Sequence, residues 1–183
     1  MDIRKAVITA AAPNQRELPI QTLIDKDGQR KSVLEILVSE VSAAGIGDVA
    51  IVVHPGDEEI YQHALTQSDC NVRFIAQNQA LGYGHALYCA KDFVKNEPFL
   101  HLVGDHLYVD QGTIPCAKQL VDLAKKHECA VSAVQPTRES MITNFGVVGG
   151  TGFQRTNFVY QVDQVMEKPT PTIAEQELTV PGL

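Results

Sequence analysis

Asp105 closes the segment "EPFLHLVGD", where a carboxylate follows an apolar run and a glycine. A carboxylate in that place can hold Mg²⁺, a hard cation that prefers oxygen ligands. "GD" alone equally suits a side chain that caps the next segment. Upstream, "AQNQALGYGHALYCAKDF" (76–93) sets Gln77, Gly82 and Gly84 between an apolar run and a helix-like run. A glutamine amide offers a donor and an acceptor in one plane, the pattern that meets the imide edge of a uracil base. Glycine lets a flat base pack against bare backbone or lets the chain turn tightly, and these residues alone allow both. Arg16 and Lys26 share one long polar stretch, where paired cations could hold a triphosphate or simply face solvent. "EKP" (167–169) offers a carboxylate beside an ammonium, an arrangement found at many strand ends. His101 and His106 raise the question of zinc, but positions 101 and 105 on a strand lie too far apart to share an ion.

These groups act together only if the fold brings them to one edge. "KAVITAA" (5–11), "DVAIVVHP" (48–55), "NVRFIAQ" (71–77) and "PFLHLVGD" (98–105) are short and largely apolar, as strands covered on both faces are. "CAVSAVQPT" (129–137) reads as a fifth strand. Helices are expected from Ser32, over 57–66, over 84–94 and over 113–127. Ser32 with Glu35 three residues on makes a capping box, and Gly45 is placed to stop that helix. Thr113 is the expected cap of the last helix, with Pro115 in its first turn. "FGVVGG" and "FVYQVDQVMEKP" then read as two β segments. The proline-containing stretch 12–31 is too long for an ordinary connection and is expected to be functional. Strand and helix alternate, which predicts an α/β fold: three layers around a mainly parallel (mixed) sheet, Rossmann-like. Ligands of such folds sit outside the carboxyl ends of the strands, where Gln77 and Asp105 fall.

The bulk properties narrow the partners. At 183 residues, 44% hydrophobic and 20% charged, the chain suits one soluble domain spanning 1–183. A net charge of −7 with no basic block argues against nucleic acid, and no apolar run is long enough for a membrane helix. "MDIRKAVITAAA" reads as a buried strand and not as a secretory leader. Cys70, Cys89, Cys116 and Cys129 form no C-x-x-C pair and read as reduced, mostly buried thiols of a cytoplasmic protein.

Taken in order, "KAVIxAA…R-x-L-P", "Q-x₃-A-L-G-Y-G-H-A-L-Y-C-A-K-D-F-V", "EPF-x₃-VGD", "SAVQP", "FGVV" and "VMEKP" resemble the bacterial-type UTP–glucose-1-phosphate uridylyltransferases, or UDP-glucose pyrophosphorylases. The resemblance runs from Lys5 to about Pro169 and implies the nucleotide-diphospho-sugar transferase fold. It implies UTP, glucose 1-phosphate and UDP-glucose as partners and Mg²⁺ as cofactor, and it leaves homo-oligomer formation open. Residue by residue, it implies that Ala11, Ala12, Gln77, Gly82 and Asp105 meet the nucleotide, with Gln77 and the Gly82 backbone reading uracil. Asp105 would hold Mg²⁺. Gly146, Glu167 and Lys168 would bind the sugar and its phosphate, and Arg16, Lys26 and Lys168 would be the catalytic cations.

Departures from the family pattern cluster at the phosphates. The family loop reads "G-x-G-T-R", whereas this chain has "APNQR" (12–16), so Ala12, Asn14 and Gln15 stand for two glycines and a threonine. A Cβ where positive φ is needed costs ~1–2 kcal/mol. Asp25 replaces the proline before Lys26 and is expected to bring negative charge near the triphosphate, and His106 replaces a second acidic residue. Family members continue beyond the point where this sequence stops, with a second metal-binding aspartate expected in that continuation. Uridylyl transfer is the leading expectation, since no Ser–His–Asp or Cys–His signature is present and a sugar phosphate needs no general base. A UDP-sugar-binding pseudoenzyme with a weakened triphosphate grip is the alternative. A glycosyltransferase is disfavoured by the lack of an Asp-x-Asp pair after the fourth strand.

Overall fold

Strand β1 (Lys5–Ala10) has the composition of a strand enclosed between two helical layers. Ala6, Ile8 and Ala10 enter one apolar cluster, while Val7 and the following Ala11 enter another. A computed structural model describes residues 1–14, 16–25, 27–66, 68–109, 112–152 and 159–178. The described chain divides into two compact units, Met1–Ser132 and Ala133–Leu183.

In the first unit, β1 is followed by a small hairpin of β2 (Thr22–Ile24) and β3 (Arg30–Ser32), then α1 (Val33–Ala43), β4 (Asp48–Val53) and α2 (Glu58–Ala64). β5 (Asn71–Ala76), α3 (Tyr83–Cys89), α4 (Lys91–Val94), β6 (Phe99–Val103) and α5 (Cys116–His127) complete it. The main sheet runs β5-β4-β1-β6 and every pair is parallel, with Lys5 opposite both Asp48 and Phe99. Leu34, Leu37 and Val41 of α1, Tyr61 of α2 and Val121 of α5 pack on one sheet face. Ala86 of α3 and Val94 of α4 pack on the other, against Val7 and Val52. The three-layer α/β architecture expected from the alternating elements is therefore present.

Local chemistry explains the helix limits. Ser32 Oγ accepts from the Glu35 amide at 3.0 Å while Glu35 Oε2 accepts from the Ser32 amide at 2.8 Å, so the expected capping box is formed. The expected helix over 84–94 is two pieces, because the Ala90 amide makes a tighter bond to the Leu87 carbonyl. α5 starts at Cys116 and Thr113 does not cap it. Pro115 occupies the cap position in extended conformation, and the residue before a proline is kept from helical backbone.

Two further expectations are corrected. Residues 129–137 form no ladder, and β6 has no second strand partner among the described residues. Valines favour a strand, but a strand exists only through a neighbour's hydrogen bonds, and in this segment only Val131 packs on the core. The stretch 12–31 holds the β2–β3 hairpin, whose turn is built on Asp25. Asp25 Oδ1 accepts from the Asp27 and Gln29 amides, both at 2.9 Å, and Oδ2 meets Lys31 Nζ at 2.5 Å. Lys31 first, then the Gln29 amide, holds the Asp25 carboxyl below its usual range. Its charge is thus matched within the hairpin.

The second unit contains a short 3-10 helix (Glu139–Asn144), the antiparallel pair β7 (Gly146–Gly152) and β8 (Tyr160–Glu167), and α6 (Pro171–Glu177). Thr170 caps α6 from its side-chain oxygen, with Pro171 in the first turn, where a missing N–H costs nothing. All four cysteines are free thiols; Cys70, Cys89 and Cys116 are half-buried and Cys129 is exposed, so the expected burial is only partial. Among the described residues no helix is long and apolar enough to cross a membrane.

Candidate active site

Three strands end together at the carboxyl edge of the sheet, and the loops after β1, β5 and β6 enclose a cleft of about 330 Å³. Ala11, Ala12 and Pro13 come from the first, Gln77, Gly82 and Tyr83 from the second, and Gly104 and Asp105 from the third. All five residues expected at a nucleotide (Ala11, Ala12, Gln77, Gly82 and Asp105) line this one cleft.

Gln77 is buried, 7% exposed, and its amide is already engaged. Nε2 donates to the Gly82 carbonyl at 3.1 Å and to Nδ1 of His85 at 3.1 Å, which uses both of its hydrogens. Oε1 therefore remains the uncommitted atom, and Gln77 presents an acceptor instead of the expected donor–acceptor pair. Gly82 lies at φ +93°, a conformation that disfavours any side chain, and a Cβ there would stand in open space. This glycine makes the turn, and its bare backbone lines the cleft. Gly84 differs, because it has ordinary helical backbone inside α3 and does not line the cleft.

Asp105 owes its place to Gly104, a residue to which the sequence reading gave no role. The Gly104 amide donates to the Thr9 carbonyl at 2.8 Å, and a Cβ on Gly104 would come within 2.9 Å of Ala10 Cβ. Only glycine lets the chain leaving β6 close this tightly against β1 and turn the next side chain into the cleft. Asp105 Oδ1 lies 2.7 Å from His106 Nδ1. Behind the cleft wall, His101 bridges Thr9 Oγ1, 3.2 Å from its Nε2, and the Tyr83 hydroxyl, 3.1 Å from its Nδ1. Burial depresses the His101 pKa and keeps the ring neutral. His101 is a strut between β1 and α3. Among the described residues no three His, Cys, Asp or Glu side chains gather to hold a metal.

The cations are placed less simply. Arg16 grips Asp57 through both Nε (2.7 Å) and Nη2, and it faces a neighbouring hollow that shares Pro13 with the cleft. Asp57 is 4% exposed, and the hydrogen bond to it raises the Arg16 pKa further. The Tyr61 hydroxyl secures this corner, sharing its one hydrogen between the carbonyls of Arg16 (2.8 Å) and Ala10 (3.1 Å), and burial keeps it protonated. Arg16 is therefore not brought into the cleft. Lys26, like Gln15, lies outside the described residues. Ala12 and Asn14 do not have positive φ, so the strain expected from their Cβ atoms is absent: the loop takes ordinary backbone where the family pattern has glycine.

In the second unit, Gly146 and Glu167 are direct partners in the β7–β8 ladder, and the absent Gly146 side chain leaves room for Glu167 Oε2. Lys168 follows at φ +48°; its amide donates to the Phe145 carbonyl at 3.0 Å and its Nζ lies 3.7 Å from Glu167 Oε1. These three residues form one group at the end of the hairpin.

A nucleotidyl transferase family model matches residues 20–183. The UTP–glucose-1-phosphate uridylyltransferase YngB of Bacillus subtilis is 29% identical to the chain, over 98% of this chain and 68% of the relative. A UTP–glucose-1-phosphate uridylyltransferase of Staphylococcus epidermidis is 30% identical, over 98% and 70%. Among solved structures, a UDP-glucose pyrophosphorylase complexed with UDP-glucose superposes with a TM-score of 0.77 at 23% identity, over 93% of this chain and 71% of that one. A UTP-bound enzyme from Acinetobacter baumannii gives 0.75 at 22%, over 93% and 69%. Cleft, sheet order and sequence agree: the chain belongs to the nucleotidyl transferase family, among the UTP–glucose-1-phosphate uridylyltransferases.

Proposed function

We propose that the chain transfers UMP from UTP to glucose 1-phosphate, giving UDP-glucose and pyrophosphate. The observation that carries this reading is the convergence of Ala11, Ala12, Gln77, Gly82 and Asp105, from three strand ends, on one cleft. A phosphate oxygen of the sugar attacks the α-phosphorus of UTP, the new P–O bond forms, and the bond to the bridging oxygen breaks as pyrophosphate leaves with the electron pair. The nucleophile is already an anion, so the residues have positioning and charge to supply and no proton to remove. Gln77 Oε1 accepts from the N3–H of uracil, and the base lies against Gly82. Glu167 and Gly146 hold the sugar, and Lys168 meets its phosphate.

Asp105 suits Mg²⁺, which is held by one or two carboxylates and takes its remaining ligands from water and substrate phosphates. When bound, that ion would offset the negative charge of the triphosphate. Arg16 holds Asp57 through Nε and Nη2, which leaves its Nη1 hydrogens to meet a phosphate, and Lys26 is its expected partner. The free thiols accord with a reducing, cytoplasmic setting.

The test is pyrophosphate release from each of the four nucleoside triphosphates with glucose 1-phosphate and Mg²⁺. Release with UTP well above the other three is expected. Equal release from all four, or none from any, would overturn the proposal.

A further inference from the structure

The cleft contains a recognition device that the assignment of Gln77 to the base does not explain. A glutamine amide can turn either end outward, and the two orientations suit different pyrimidines. Oε1 outward accepts from the N3–H of uracil, whereas Nε2 outward donates to the bare N3 of cytosine. Something must choose between them.

We infer that His85 is the specificity-determining positioning residue, which locks the Gln77 amide with Oε1 outward and thereby excludes cytosine. Nε2 of Gln77 has two acceptors on its inner side, the Gly82 carbonyl and His85 Nδ1, both at 3.1 Å. An amide nitrogen cannot accept, so in this contact His85 Nδ1 is the acceptor, with the ring proton on its Nε2; Cys89 Sγ lies 3.9 Å from the same Nδ1. Turning the amide over would set Oε1 against two lone-pair-bearing atoms. Gly82 contributes through its backbone and is beyond side-chain replacement, so His85 is the removable half of the lock. It stands in the first turn of α3, half-buried, and does not itself line the cleft.

This inference rests on the reading that Gln77 meets the base. The test measures UDP and CDP affinities by calorimetry for the parent, His85→Leu, which keeps bulk without an acceptor, and His85→Asn, whose carbonyl can replace Nδ1. The parent should prefer UDP. In His85→Leu that preference should fall ~10-fold, mainly because CDP binds more tightly while UDP weakens little. His85→Asn should retain the preference. A merely structural role would weaken both nucleotides together and leave their ratio unchanged, and that result would overturn the inference. So would a preference kept in His85→Leu, which leaves the Gln77 reading intact, or His85→Asn behaving like His85→Leu. Equal binding of UDP and CDP by the parent would overturn both readings at once.

Discussion

Replacing Gly104 by alanine tests whether the site is set by the closure of β6 onto β1. The added Cβ would lie 2.9 Å from Ala10 Cβ, 3.1 Å from the Thr9 carbonyl oxygen and 3.3 Å from Ala10 Cα. Carbon atoms rest at ~3.5–4.0 Å, so the strands must part by at least about half an ångström. The Gly104–Thr9 hydrogen bond of 2.8 Å resists that movement, and neither Ala10 nor a backbone carbonyl has a rotamer with which to retreat. Overpacking of this kind costs ~1–3 kcal/mol, and at this chain length each kcal/mol lowers the melting temperature by ~2–4 °C. Thermal unfolding followed by circular dichroism should therefore show a loss of ~2–12 °C. A double-mutant cycle isolates the contact: adding Ala10→Gly removes the nearest atom and should make the pair more stable than the sum of the single effects. An unchanged melting temperature, or additive single effects, would refute the claim that this contact requires glycine.

Gln77→Ala should erase most of the preference for UDP over ADP, CDP and GDP, since one directional hydrogen bond is worth ~1–3 kcal/mol when its loss strands a partner; equal affinities in the parent would remove the basis for the role. Asp105→Asn should abolish the Mg²⁺ dependence of UTP binding while the melting temperature stays near that of the parent, whereas unfolding would make the residue a structural cap. Ser32→Ala removes the capping box and the bond to the Ala64 carbonyl, and should lower stability by ~1–2 kcal/mol in chemical denaturation. His101→Gln tests a pH effect. Burial lowers the folded-state pKa below the unfolded value of 6.5, so the unfolded chain binds the extra proton first. The stability held above pH 6.5 is lost as pH falls below it, and the parent should lose more melting temperature between pH 7 and pH 5 than His101→Gln. Parallel curves would contradict the neutral strut.

The parts of the fold legible in the sequence are those fixed by local pattern. Continuous apolar runs marked β1, β4, β5 and β6, and the Ser32–Glu35 spacing marked the start of α1. The carboxyl-end rule then placed Gln77 and Asp105 at one edge before any distance was known. What was not legible depended on partners distant in sequence. Residues 129–137 have the composition of a strand but no ladder. The role of Gly104 comes from Thr9 and Ala10, and that of His101 from Thr9 and Tyr83, and no spacing rule relates them. The β2–β3 hairpin did carry a signal, since Asp27–Gly28 between two short β-like segments is a turn pair, but β2 and β3 have only three residues each. α6 was announced by Thr170–Pro171 in the same way.

The phosphate loop departs from the expectation in a direction that alters the chemistry. Alanine at 12 and asparagine at 14, where the family pattern has glycine, are expected to strain the loop, yet at the described positions 12–14 no residue has the left-handed conformation that strain requires. A nest of amides around an anion needs such a residue, and Pro13 has no amide at all. Positions 12–14 therefore do not form a backbone cradle for the triphosphate. The nearest arginine is committed to Asp57, a buried carboxylate that would be left without its cation if Arg16 turned to a phosphate. Phosphate binding through Arg16 thus shares its guanidinium with an ion pair that stabilises the corner between the β1 end and α2. The Gln77 amide, proposed to read the base, is by contrast already held by the Gly82 carbonyl and His85. On the proposed reading the nucleoside would meet a Gln77 amide already set in place, while the triphosphate would share Arg16 with Asp57. With Gln77 at the base as proposed, discrimination among nucleotides would rest on the base edge of the cleft, and the contribution of Arg16 to the phosphate grip would be set by the donors that its pairing with Asp57 leaves over.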